Sequence, residues 1–167
     1  MKQPIAGVAP AELAEATVMT TWPSIGAYPS GRILGWLYEF RWPDKYFFRV
    51  GRLIALASIP HALALYFWRI LPYVGTRYTI TNRRIVVQKG IMAVDDRFVD
   101  LDRFDEVTIE VQKGQQWFDS GDLVFSKDGV ETFRLEGVSR PRAFQACCVK
   151  AQMSHVGVKA AQAREKA

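Results

Sequence analysis

The chain has 167 residues, a formal net charge of +5, 49% hydrophobic and 23% charged residues, two cysteines and two histidines. That length suits one compact domain with an appendage and excludes a large multidomain enzyme, while the composition excludes a disordered or fibrous chain. Adjacent Cys147 and Cys148 exclude a disulfide framework and leave no metal-ligand spacing, so no cofactor is expected.

The charge is uneven along the chain. Residues 1–76 hold 7 Lys+Arg against 4 Asp+Glu, residues 77–150 hold 12 against 12, and residues 151–167 hold 3 against 1. A nucleic-acid-binding domain concentrates basic residues on its folded core, whereas here the middle is neutral, so nucleic acid is not expected as a partner.

At the N-terminus, Pro4, Pro10, Glu12 and Glu15 interrupt any apolar stretch of the kind a secretory signal needs. Residues 31–40, which include Trp36, are apolar and aromatic but too short to span a bilayer. Residues 41–49 mix Trp42, Tyr46, Phe47 and Phe48 with Arg41, Lys45 and Arg49, a composition that suits a membrane interface. Residues 53–68, from Leu53 through Phe67 to Trp68, carry no formal charge and form a membrane-type run with Pro60 in its middle. As a helix the run reaches only about 24 Å against a ~30 Å hydrocarbon core, unless Arg69 snorkels. Pro60 either kinks one spanning helix or separates two short helices that dip in and return. The bland alternative is a soluble buried helical layer. His61 beside Pro60 is read as a partner for a freed carbonyl rather than as a cofactor ligand. Four basic residues precede the run and four lie at or beyond its end, so charge does not settle orientation. The unpaired thiols agree with a reducing, cytoplasmic side for the C-terminal part.

From Tyr78 the period becomes alternating. Strands are expected over 78–81, 84–88, 97–101, 107–112, 122–126 and 132–137, in a meandering antiparallel sheet, with a tight Asp-Gly turn at Asp128–Gly129. In the third of these, either Phe98 or Val99 must face outward. Trp117 and Phe118 sit in the loop before the fifth strand and either anchor a partner or close the core. Phe98, Trp117 and Phe118 are the candidate partner-binding residues. The acids from Asp95 to Glu106, interleaved with Arg97 and Arg103, read as a salt-bridged edge. After Gly137 a helix is expected, with Ser139 as N-cap and Pro141 early in it, and residues 156–167 form a frayed tail.

The segments YTITNRRIVVQKG, DLDRFDEVTIEVQKGQQWFDSGDLVFS and FRLEGVSRPRAF, in this order, resemble the bacterial pleckstrin-homology (PH) domain of the membrane-associated type, formerly a domain of unknown function. The resemblance covers roughly residues 76–153, and YPS at 28–30 resembles the segment leading into the family's membrane part. One departure is that the family's two spanning helices are not both evident. The resemblance implies an α+β fold with N-terminal membrane-associated helices, then a PH-like split β-barrel of seven strands capped by a C-terminal helix. The organisation would be an extension (1–27), a membrane-associated helical region (28–75), the PH-like domain (76–155) and a flexible tail (156–167).

Eukaryotic relatives bind inositol phosphates through a basic loop, but the connection from Thr81 to Arg84 is too tight to enfold a phosphate cluster. Arg83 and Arg84 remain candidates for headgroup contact, or else are solvated turn charges. The implied role is non-catalytic. It is a module at the inner membrane that contacts lipid through Trp36, Trp42, Tyr46, Phe47, Phe48, Leu53, Phe67 and Trp68 and holds a partner protein there, or alternatively an accessory subunit of a larger membrane complex.

Overall fold

The computed structural model describes residues 15–39, 50–70 and 75–166. Among these residues seven strands form two antiparallel sheets. The first contains β1 (Thr17–Thr21), β2 (Thr76–Thr81), β3 (Arg84–Lys89) and β4 (Val94–Asp100) in the order β1-β2-β3-β4. The second contains β5 (Glu106–Glu110), β6 (Ser120–Lys127) and β7 (Val130–Ser139) in the order β5-β6-β7. All six strands expected after Tyr78 are present. The β6–β7 hairpin turns at Asp128 and Gly129, whose positive φ angles of 52° and 78° are those the Asp-Gly pair tolerates.

β1 is the seventh strand, and sequence periodicity did not reveal it. It lies in the segment read as an extension and pairs with β2 across more than fifty residues of intervening chain. The first sheet is therefore assembled around the helical segment, not after it. Among the described residues the two sheets do not close into a barrel. The two sheets are bridged at one corner, where Pro23 pairs with Val138 and the Ser24 N–H donates to the Gly137 carbonyl at 2.7 Å.

Between the sheets lies one apolar core. Tyr78, Ile80, Ile85 and Val87 enter from the first sheet and Val107, Leu123, Phe125 and Leu135 from the second, following strand alternation. Phe104, in the β4–β5 connection, meets Phe125 edge-on with ring centroids 5.0 Å apart. The Tyr78 hydroxyl donates to the Glu136 carbonyl at 2.8 Å, and burial pushes its phenol above the usual range. The C-terminal helix α4 (Pro141–Lys166) closes the open end of the sheets with Phe144, Cys148 and Ala151, one stripe at helical spacing. Pro141 opens α4, where its missing N–H costs nothing. Ser139 is not its N-cap, because the hydroxyl donates instead to the Trp22 carbonyl at 3.0 Å. Residues 156–166, read from sequence as tail, are the last turns of α4, and residues 156–161 are exposed.

The helical segment comprises α1 (Pro29–Glu39), α2 (Val50–Ala57) and α3 (Ile59–Ile70). Of the two readings of Pro60, the single spanning helix is corrected here, and the run forms two short helices. Among the described residues no helix is long and apolar enough to cross a membrane. The reason is Pro60, which has no N–H to give to the preceding turn and interrupts the helix at Ser58. The 12 residues of α3 reach about 18 Å.

Candidate interaction surface

The surface begins with how α1 is held. Gly35 of α1 crosses Gly114 of the β5–β6 loop backbone to backbone. A Cβ at Gly35 would stand 2.0 Å from the Gly114 carbonyl oxygen, and one at Gly114, where φ is +84°, would stand 1.9 Å from that of Arg32. Only glycine permits this approach. Beside it, Arg32 Nη1 donates to Gln112 Oε1.

Gln112 in turn leads to a buried carboxylate. Asp122 on β6, 1% exposed, accepts at Oδ2 from Gln112 Nε2 at 2.5 Å, and at Oδ1 from Gln115 Nε2 at 2.7 Å and the Gly137 N–H at 2.8 Å. Arg134 Nη1 stands 3.7 Å from Oδ2 and is bound more closely by Glu110 at 2.7 Å. A charge taken out of water is tolerated only when so many donors surround it. Asp122 thereby ties α1, the β5–β6 loop and β7 together. Sequence reasoning missed this role, although the signal was available in a carboxylate set within the apolar run of GDLVF.

Held this way, α1 carries α2 and α3. Tyr38 packs edge-on against Trp117 and Phe118, with centroids 5.5 and 6.4 Å away, and its hydroxyl shares a hydrogen bond with Ser58 Oγ at the helix interruption. Ser58 Oγ also donates to the Ala55 carbonyl at 3.0 Å. On α2 and α3, Ile54, Ala55, Ser58, Ala62 and Leu65 are half-buried, one stripe at helical spacing. The other apolar side chains described on these helices are left uncovered. Leu53, Leu56, Ile59, Leu63 and Phe67 recur every three or four residues and are exposed, Leu56 by 65% and Phe67 by 62%. A helix apolar on two faces has a second face to cover, and contiguous exposed apolar surface marks contact with lipid or protein.

The residues singled out in the sequence fall in separate places. Trp36 is exposed on α1, and Leu53 and Phe67 lie on the uncovered α2–α3 face. Trp68 lies on α3 with its side chain outside the described set, and Trp42, Tyr46, Phe47 and Phe48 lie outside the described residues. His61 is exposed on α3. Phe118 is half-buried against Tyr38, while Trp117 leaves half its surface exposed.

In β4 the outward residue is Phe98, since Val99 faces the core, and the Arg84 guanidinium covers the Phe98 ring at 5.1 Å. Arg84 is engaged by two carboxylates. It makes two hydrogen bonds to Glu15 at 2.8 and 2.9 Å and pairs with Asp95 at 3.3 Å, and this guanidinium holds the Glu15 carboxyl below its usual range. Arg83, its neighbour, lines a different surface, against α4. The acidic run is ion-paired from Asp95 to Asp102, with Asp96 to Lys89 at 3.0 Å, Asp100 to Arg103 at 3.4 Å and Asp102 to Lys159 at 2.6 Å.

A family described as the bacterial PH domain matches residues 25–155. The chain therefore belongs to that family, and the two antiparallel sheets with a C-terminal helix fit its α+β fold. Neither a curated protein nor a solved structure matches the chain.

Proposed function

We propose that this bacterial PH domain protein is a non-catalytic binding or scaffolding module seated on the cytoplasmic face of the inner membrane, where it holds a partner protein. The family itself suggests a binding or scaffolding role. The observation that carries the membrane reading is the uncovered apolar face of α2 and α3, which meet α1 through Tyr38 and Ser58. Lying in the interface plane, Leu53, Leu56, Ile59, Leu63 and Phe67 would exchange water for acyl chains. Fully burying such a side chain is worth about 1.5–3 kcal/mol, and half of that for each of these five still gives roughly 4–8 kcal/mol. The chain's excess of basic residues would add attraction to anionic lipid. Facing the cytoplasm, exposed Trp117 and Phe98 offer aromatic anchors for the partner.

Vesicle flotation with the full chain tests the reading. Vesicles of phosphatidylethanolamine and phosphatidylglycerol should carry the protein upward. Combined Leu56→Glu, Leu63→Glu and Phe67→Glu substitutions, all at exposed positions, should release it without unfolding it. Protein left unfloated with anionic vesicles at low salt would refute the lipid reading. Stoichiometric co-purification with other chains from native membranes, without vesicle binding, would assign the same face to a subunit contact.

A further inference from the structure

A second apolar feature lies at the β1 edge of the first sheet, between β1, the β2–β3 turn and α4. It is a groove of about 370 Å³, near the lower end of the range for small-molecule sites. Its walls include Val18, Cys147, Ala151 and Val158, and its rim carries Arg83, Lys150, His155 and Lys159. None of its described lining residues is acidic.

Two details make it more than a gap between helix and sheet. The β1–β2 register breaks between Thr17 and Met19, so Val18 has no cross-strand partner and stands in the groove wall, 55% exposed. A bulge of this kind re-aims a side chain, and it also spoils the edge for adding a further strand. Across the groove, Val158 is 45% exposed. The wall of α4 runs from Cys147 to Lys159, about 18 Å of helix, so the groove is long enough to take an extended chain lengthwise.

The rim supplies the other half of the recognition. Arg83, Lys150 and Lys159 are cationic. Lys159 gives one of its three N–H donors to Asp102, and His155 Nδ1 donates to the Asn82 carbonyl at 3.1 Å. We propose that the groove binds one free fatty acid, its acyl chain lying along α4 between Val18 and Val158 and its carboxylate at the basic rim of Arg83, Lys150 and Lys159. This site is independent of the α2–α3 face and does not rest on the membrane reading.

Cys147, half-buried in the wall, is the reporter, because its neighbour Cys148 is fully buried. The full-length protein is treated with a maleimide, with and without laurate kept below its micelle concentration, and Cys147 modification is followed by mass spectrometry. Saturating laurate should slow modification about tenfold or more, whereas uncharged dodecanol at the same concentration should protect at least about tenfold less well. Val18→Asp with Val158→Asp, both exposed positions, should keep the parent circular dichroism spectrum and raise the laurate concentration needed by about tenfold or more. Should that pair lose the native spectrum, Val18→Ser with Val158→Ser takes its place. Unchanged modification in laurate, equal protection by dodecanol, or parent-like protection in the folded double variant each overturns the proposal. Protection by phosphatidylglycerol vesicles but not by free laurate also overturns it and makes the groove a bilayer contact.

Discussion

Replacing Asp122 by alanine removes the one acceptor that three segments share. The Gly137 N–H and Gln115 Nε2, both on buried residues, lose Oδ1, while Gln112 Nε2, on a half-buried residue, can turn to water. Each orphaned buried donor costs about 1–3 kcal/mol, so Asp122→Ala should lose about 2–5 kcal/mol, a large part of the ~5–15 kcal/mol of an ordinary domain. Asp122→Asn is the informative contrast. It can keep an oxygen at the Oδ1 position for both buried donors but sets an amide against Gln112 Nε2, which cannot flip without giving up Arg32. Its loss should therefore be smaller, about 1–2 kcal/mol. Urea unfolding followed by tryptophan fluorescence measures both, with the slope unchanged and the midpoint lowered. A cost below about 0.5 kcal/mol for Asp122→Ala, or an asparagine variant as unstable as the alanine one, would refute the account of this network.

At the helix crossing, Gly35→Ala should force α1 off the β5–β6 loop at a cost of about 1–3 kcal/mol, visible as faster amide exchange in α1 while the strands stay protected. Phe104→Ala, at a fully buried position, should cost about 3–5 kcal/mol in the same urea titration. Glu15→Gln should cost at most about 1 kcal/mol at neutral pH, because its pair with Arg84 is partly exposed. The folded-state carboxyl of Glu15 is held below its unfolded value, chiefly by the hydrogen bond from Arg84, so the stability it contributes is complete above the ordinary glutamate range of about 4.3 and is lost as pH falls through the lower folded value. The gap between wild type and Glu15→Gln in urea midpoint should accordingly close on acidification and stay constant from pH 6 to 8.

The back half of the molecule was legible because its information is local. Alternation over β2 to β7, the Asp-Gly turn and the apolar stripe of α4 are written at periods of two and about 3.6 residues, and burial against one core only reinforces them. A choice such as Phe98 against Val99 was already framed in sequence, since two successive strand residues cannot share a face. Tertiary structure made that choice by the register with β3, which sets Phe98 opposite Val86 under Arg84.

What sequence periods could not carry were the partnerships between distant segments. β1 is five residues of threonine, valine and methionine that become a strand only because β2 offers an edge. Gly35 and Gly114 look like ordinary loop or helix glycines until two backbones cross. The apolar run could be one kinked crossing or two short helices; Pro60 divides it into α2 and α3, and the contact of Tyr38 with Ser58 decides which of its faces is left uncovered. Hydrophobic pattern names the residues that avoid water. Only the packed chain determines which of them have already found cover.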